Sequence, residues 1–259
     1  MKAMVFAAGL GTRLKPLTDN LPKALVPVCG RPLLYHVMTK LVSQGFDDIV
    51  INVHHFADKI VSYLASEEDF GVRVSVSDER DMLRETGGGI RHARQFLEDS
   101  GSFLVHNVDI VSDVDLRGFV LQCRPDALAT LLVSRRETSR YLLFDEDMRL
   151  VGWTNVKSGE VRSPYPDLDV SSCRRLAFSG IHCMSAGVFK AMDSLDALAE
   201  AQGRPGLGER FPIMDFYLEA AARYPVYGQE AEGLHLVDVG KIQALQEAQA
   251  LCGRLLESV

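Results

Sequence analysis

No stretch of the sequence approaches the roughly 20 consecutive apolar residues that a membrane-spanning helix needs. The apolar run at its start is short and leads into glycine and arginine instead of a small-residue cleavage site, which predicts no signal peptide and leaves the cytoplasm as the expected compartment. Cysteine is sparse: the five residues Cys29, Cys123, Cys173, Cys183 and Cys252 are odd in number, scattered and without a CxxC pair. That spacing argues against a disulfide framework and against a zinc site, and reads as reduced thiols. A basic surplus is missing too. With 28 Lys and Arg against 35 Asp and Glu the net charge is −7, which excludes a broad nucleic-acid footprint but leaves room for a local cationic pocket. Tryptophan occurs once, at Trp153, and low-complexity tracts, internal repeats and linkers are absent.

What is present is the composition of a globular chain, 47% hydrophobic and 24% charged over 259 residues. That length suits one large α/β domain. The run KAMVFAA (2–8) is continuously apolar, as a strand buried on both faces of a parallel sheet requires. After a loop, Pro32 opens a helix with Leu33, Leu34, Val37, Met38, Leu41 and Val42 at helical spacing, stopping near Gly45. Residues 47–55 and 72–79 read as strands around a helix over 57–65, and ETGGGIRHARQFLED reads as a glycine-rich loop passing into a helix. SFLVHN is a further buried strand, ending before Val108 and Asp109.

This alternation predicts an α/β fold with a mostly parallel mixed central sheet, Rossmann-like and three-layered. Its ligands are expected at the carboxyl ends of the strands. The rule gathers the GLGTR loop, the ETGGG segment and Asp109 into one expected crevice. The second half reads as β-hairpins with turns at 145–147 and 157–159, then a strand in RLAFSGIHCMS, a helix in FPIMDFYLEAAARY, strands in PVYGQ and LHLVDVG, and a C-terminal helix. That last helix carries Ile242, Leu245, Ala248, Cys252 and Leu255 near helical spacing, while residues 163–174 and 201–210 carry the turn chemistry of loops.

The stretch AAGLGTRLKPLT follows the first strand with two glycines and no acid. Successive backbone N–H groups with Arg13 suit an anion, and Gly9 and Gly11 permit close approach. Two familiar phosphate motifs fail at one position. A P-loop and a dinucleotide fingerprint each exclude a bulky residue at 14, where this chain has Leu14. A lone GxG is as readily a tight turn, but Lys15, Lys23 and Arg31 add cations here while Pro16, Pro22 and Pro27 stiffen the segment.

The longer stretch GLGTRLKPLTDNLPKALVPVCGRPLL closely resembles the G-x-G-T-R-x-x-P-L-T … P-K-x-L signature of sugar-1-phosphate nucleotidyltransferases, which make NDP-sugars from an NTP and a sugar 1-phosphate. The resemblance extends through ETGGG, Asp109, FSGIH and VDVG, nearly the whole chain. It implies a single nucleotidyltransferase domain over 1–259, with a nucleotide-binding half to residue 110 and a sugar-binding half with the C-terminal helix after it. It also implies that Gly9, Gly11, Thr12 and Arg13 wrap the triphosphate, and that Lys23 bridges the phosphates near the attacked phosphorus, so that Arg13 and Lys23 are the catalytic cations. Ala8 and Gly9, with Glu85, Thr86, Gly87 and Gly88, would frame the base and ribose. Asp109 and Asp238 would hold Mg²⁺, although a carboxylate just past a strand is equally a helix cap. Two departures stand out: the usual N-G-D reads Asn107, Val108, Asp109, and the usual D-[IV]-G-T ends in Lys241.

On the acceptor side the resemblance points to Asn107, Gly180 and, more loosely, Lys157 and Asp215. The E-K-P element of many relatives is not found. Phe178 and His182 either border the sugar or pack, and Trp153 either stacks on it or fills the core. LRETGGG is more similar to uridylyltransferases than to glucose-1-phosphate thymidylyltransferases, which makes UTP the preferred NTP. Mannose-1-phosphate guanylyltransferases and choline-phosphate cytidylyltransferases share most of the motif. A non-catalytic nucleotide-sugar sensor is the rival from another class, and both aspartates with both cations argue against it. No nucleic acid or membrane partner is expected.

Overall fold

The computed structural model describes residues 1–257. In chain order its elements are β1 (Lys2–Phe6), β2 (Pro27–Val28), β3 (Arg31–Pro32), α1 (Leu33–Ser43), β4 (Asp48–Val53), α2 (Ala57–Ser66), β5 (Arg73–Asp78), α3 (Glu85–His92), α4 (Arg94–Leu97), β6 (Ser102–Asn107) and β7 (Ile110–Ser112). They continue with α5 (Leu116–Leu121), β8 (Ala129–Ser134), β9 (Arg140–Phe144), β10 (Leu150–Asn155), β11 (Glu160–Arg162), β12 (Arg174–Ser185), α6 (Val188–Ala201), α7 (Ile213–Ala221), β13 (Val226–Glu230), β14 (Leu236–Asp238) and α8 (Ile242–Glu257). The chain divides into two compact units, one of Met1–Leu83, Leu104–Leu121 and Gly233–Val259, the other of Arg84–Phe103 and Gln122–Glu232.

In the first unit the strand order is β6-β1-β4-β5, and every pairing is parallel. Ala3, Met4 and Val5 of β1 and Ile49, Val50 and Ile51 of β4 are fully buried, which is why their runs are continuously apolar instead of alternating. α1 buries Leu33, Leu34, Val37, Met38 and Leu41, the face its spacing predicts. β14 pairs antiparallel with β7, and α8 follows it. α8 buries Ala248, Leu251 and Cys252 but leaves Ile242 exposed. The side chain of Leu255, expected on the same face, lies outside the described residues.

In the second unit β8 pairs antiparallel with β12 and parallel with β13, and β12 leads through β9 and β10 to β11 in an antiparallel meander. The hairpin turns fall where the sequence places them. The α/β Rossmann-like fold with a mixed sheet is the expected one.

Three local departures have physical reasons. ETGGG is the first turns of α3, not a loop, with Gly87, Gly88 and Gly89 buried inside the helix. Glycine disfavours a helix by about 1 kcal/mol per residue, but a Cβ at Gly87 would lie 2.3 Å from the Phe211 ring and one at Gly88 2.2 Å from the Glu209 carbonyl oxygen. Packing overrides propensity there. α6 forms where no element is expected, although Val188, Phe189, Met192, Leu195 and Ala199 do recur on one buried face. The short elements β2, β3, β7 and α5 carry too few residues for a period to show.

Candidate functional site

The carboxyl end of β1 is held from behind. Asn52, 2% exposed at the end of β4, accepts hydrogen bonds through Oδ1 from the backbone N–H of Ala7 at 2.8 Å and of Ala8 at 3.3 Å. Its Nδ2 donates to Oε1 of the fully buried Glu79 at 2.7 Å. The chain therefore turns off β1 with both N–H groups satisfied, as buried donors require. Asn52 and Glu79 are absent from the sequence-derived candidates; the signal was a single amide inside the apolar strand DIVINV.

From this anchor Gly9 emerges exposed, and a Cβ built on it would meet nothing within 4 Å. Gly11 differs: its φ is 64°, and its carbonyl accepts the Thr18 hydroxyl at 2.8 Å. Residues Thr12–Leu14 form a 3-10 turn that leaves Thr12 and Arg13 exposed and buries Leu14 completely. The residue that excluded the two familiar phosphate loops is thus the peg that fixes this one.

Lys23 lies in a second 3-10 turn, Lys23–Leu25, and its Nζ donates to Oδ2 of Asp109. The two side chains are 12% and 15% exposed, so the pair is shielded but reachable. Asp109 follows β6, and its carbonyl accepts the N–H of Val239 at 2.8 Å. That bond sets Asp109 beside the end of β14, where Asp238 pairs with Ile110. A Cβ at Gly240 would lie 2.8 Å from Asp238 Oδ1 and 2.9 Å from Arg13 Nη2, so both side chains come in over that glycine. Arg13, Lys23, Asp109 and Asp238 are thereby gathered at one edge of the first unit. Val108, where relatives of the motif have Gly, is buried at 3% exposure and extends the pairing by donating to Phe6 O at 3.2 Å. Asn107 is half-buried, opposite Phe6.

The remaining candidates belong to the second unit. Glu85 has φ 61° and accepts Arg210 Nε at 3.1 Å. Thr86 Oγ1 accepts the N–H of Ile213 at 2.8 Å and so caps the approach to α7. The N–H groups of Gly87 and Gly88 both donate to the Phe211 carbonyl, at 2.9 and 3.1 Å. Gly180 lies where the β12–β8 register shifts between Phe178 and His182, and its φ of 77° is one that glycine adopts without strain. Asp215, in the first turn of α7, accepts Arg162 Nη2 at 2.6 Å and lines a cavity of about 470 Å³ with Arg204 and Glu219. Lys157 is an exposed residue of the β10–β11 turn, its N–H donating to Asn155 Oδ1 at 3.1 Å. His182 is 1% exposed, its Nδ1 bonded to the buried Tyr217 hydroxyl, so it packs. Trp153 is half-buried.

With this geometry in hand, comparison with known proteins gives four findings. The Nucleotidyl transferase family profile matches residues 2–148. An N-acetylmuramate alpha-1-phosphate uridylyltransferase of Caulobacter vibrioides is 47% identical over 111 residues, 42% of this chain and 46% of that protein, so this match spans about half of either. A protein of the same description from Neisseria meningitidis serogroup B is 32% identical over 98% of this chain and 99% of its own length. Among solved structures, the inositol-1-phosphate CTP transferase from T. maritima superposes with a TM-score of 0.76 at 16% identity, covering 100% of this chain and 97% of that one, a likeness of fold.

Proposed function

This chain belongs to the nucleotidyl transferase family of enzymes, and we propose that it transfers a uridylyl group from UTP to a sugar 1-phosphate, giving a UDP-sugar and pyrophosphate. The acceptor proposed is N-acetylmuramate 1-phosphate, after the names of the two relatives. The observation that carries the reading is the convergence of Lys23 on Asp109, with Arg13 and Asp238 closing over Gly240, beside the glycine loop at the carboxyl end of β1.

The family uses a divalent metal, and Mg²⁺ is the ion proposed here. The donor set fits it. Asp109 and Asp238 offer hard carboxylate oxygens from adjacent backbone positions, and among the described residues no cluster of three or more His, Cys, Asp or Glu is built to enclose a metal. Mg²⁺ characteristically takes one or two carboxylates and completes its shell with water and substrate phosphates. When bound it supplies charge neutralisation at the phosphate oxygens.

The chain's own residues do the rest. A phosphate oxygen of the sugar 1-phosphate attacks the α-phosphorus of the NTP, the bond to the oxygen bridging to the β-phosphorus breaks, and pyrophosphate leaves. Two anions must meet, so the step is one of positioning and charge compensation. Lys23, held by Asp109 before any substrate arrives, presents its ammonium without reorganisation at the moment of reaction. Arg13 is set on the loop by the buried Leu14, and its guanidinium lies over Gly240 beside Asp238 as the second phosphate cation. Gly9, Gly11 and Thr12 supply backbone around the triphosphate, and Ala8 and Gly9 with residues 85–88 frame the base and ribose. Asn107, Gly180, Lys157 and Asp215 are the proposed acceptor side. Residues 1–259 are taken as one nucleotidyltransferase domain, acting in the cytoplasm, where NTPs are made.

Pyrophosphate release tests this, using purified protein, Mg²⁺, the four NTPs and a panel of sugar 1-phosphates. UTP with N-acetylmuramate 1-phosphate should be the best pair. GTP with mannose 1-phosphate, or CTP with phosphocholine, would reassign the substrate. Nucleotide binding with no release for any pair would make the protein a sensor.

A further inference from the structure

Two of the five cysteines, 223 positions apart by number, meet in the first unit. The strands β2 and β3 are joined by Cys29 and Gly30, with φ 48° and 74°. Positive φ at both central positions makes this a type I′ turn, which favours Asn or Gly first, and Cys there carries backbone strain. The strained thiol is half-exposed, and its Sγ donates to the carbonyl of Gln249 on α8 at 3.2 Å. Cys252 follows Gln249 one turn later, is buried, and its Sγ lies 3.6 Å from Nδ1 of His36. The other nitrogen, Nε2, lies 2.7 Å from the Val28 carbonyl oxygen. A carbonyl only accepts, so Nε2 carries the proton and Nδ1 is the unprotonated nitrogen, with Cys252 Sγ close to both, 3.6 Å from Nδ1 and 3.9 Å from Nε2.

We propose that Cys29, Cys252 and His36 form an oxidation site at which a hydroperoxide converts the two thiols to a disulfide. Cys29 is the attacking thiol because it is accessible, whereas Cys252 is held as a thiol, pushed up to about 12 by burial and by its hydrogen bond with Cys29. The Cys29 sulfur gives up its proton and attacks one peroxide oxygen, the O–O bond breaks, and the leaving hydroxide takes that proton to become water, leaving a sulfenic acid. Cys252 then passes its proton to His36 Nδ1 and attacks the Cys29 sulfur. The S–O bond breaks, and the second hydroxide recovers that proton as water. Two thiols are oxidised and one peroxide is reduced to two waters. The bond ties the hairpin that follows Lys23 to the helix that follows Asp238.

The test uses pre-reduced full-length protein, hydrogen peroxide at a few equivalents, and mass spectrometry of a non-reduced tryptic digest. The wild type should give peptides 24–40 and 242–254 cross-linked, two hydrogens lighter than their sum. Cys29→Asn, which suits the type I′ turn and so folds, should give none. Cys252→Ser should stop at a Cys29 sulfenic acid captured by dimedone, to a greater extent than in the wild type. His36→Gln should form that sulfenic acid at the wild-type rate but cross-link roughly tenfold more slowly, the loss expected of a missing proton acceptor. No such cross-link in wild-type protein that retains its thermal transition would overturn the proposal, as would equal dimedone capture on Cys29 with and without Cys252. The readout is independent of nucleotidyl transfer.

Discussion

Lys23 and Asp109, 86 residues apart, are bonded to each other in a setting that leaves each less than one-sixth exposed. Lys23→Ala removes the proposed phosphate cation and strands a shielded carboxylate. The expected loss is about 1–3 kcal/mol of stability and roughly 10²–10³ in turnover. Pyrophosphate-release rates measured well below the melting temperature separate the two effects. Near wild-type turnover in a folded variant removes Lys23 from the catalytic machinery.

Gly9 and Gly11 should respond differently to alanine. At Gly11 a Cβ would lie 2.9 Å from Thr18 Cγ2 at φ 64°, so Gly11→Ala is expected to lose about 1–3 kcal/mol in urea denaturation. Gly9 has open space around it, and Gly9→Ala should leave stability within about 1 kcal/mol while raising the KM for the NTP at least roughly tenfold, about 1.4 kcal/mol of lost binding. An unchanged KM for Gly9→Ala means that phosphate does not pass over that residue.

Asn52→Leu leaves the N–H groups of Ala7 and Ala8 without the Oδ1 acceptor and removes the Nδ2 bond to Glu79. At about 1–3 kcal/mol for each of the two N–H groups left unpaired, the expected destabilisation is about 2–6 kcal/mol. Chemical denaturation measures it directly, and a smaller loss than in a surface Asn→Leu control would show that the β1 exit is held by other contacts.

Stability should carry a specific acid dependence. Burial holds the His106 imidazole down to about 4, with Lys40 adding to the shift, whereas the unfolded chain titrates near 6.5. Between those values the unfolded chain binds a proton that the folded one does not, so His106 contributes stability above pH 6.5 that is lost as the pH falls toward 4. The loss is on the order of 2–3 kcal/mol. Urea midpoints measured across that interval should fall less steeply in His106→Gln than in the wild type, and parallel profiles would contradict the assignment.

Much of the fold is legible in the chain because its elements bury one clear face. β1 and β4 are unbroken apolar runs in a parallel sheet, and α1 repeats its apolar residues at helical spacing. The candidate site is legible for a different reason: a backbone loop that must accept a large anion needs small residues and cations at set spacings, and GLGTR with Lys23 keeps them close in sequence. The helical state of ETGGG was not legible, since Gly87 and Gly88 are demanded by Glu209 and Phe211, more than 120 residues away.

The sequence by itself determined the parallel strands and helices of the first unit, the loop after β1, and the identity of the residues proposed to meet phosphate, because local periodicity and loop chemistry are written over a few neighbouring positions. Only the tertiary structure decided that Asn52 secures Ala7 and Ala8, that Lys23 is already paired with Asp109, and that Cys29 reaches the turn of α8 that carries Cys252. Those relations are contacts between residues far apart in sequence. They exist only once burial of the apolar faces has fixed which strand and helix ends come together.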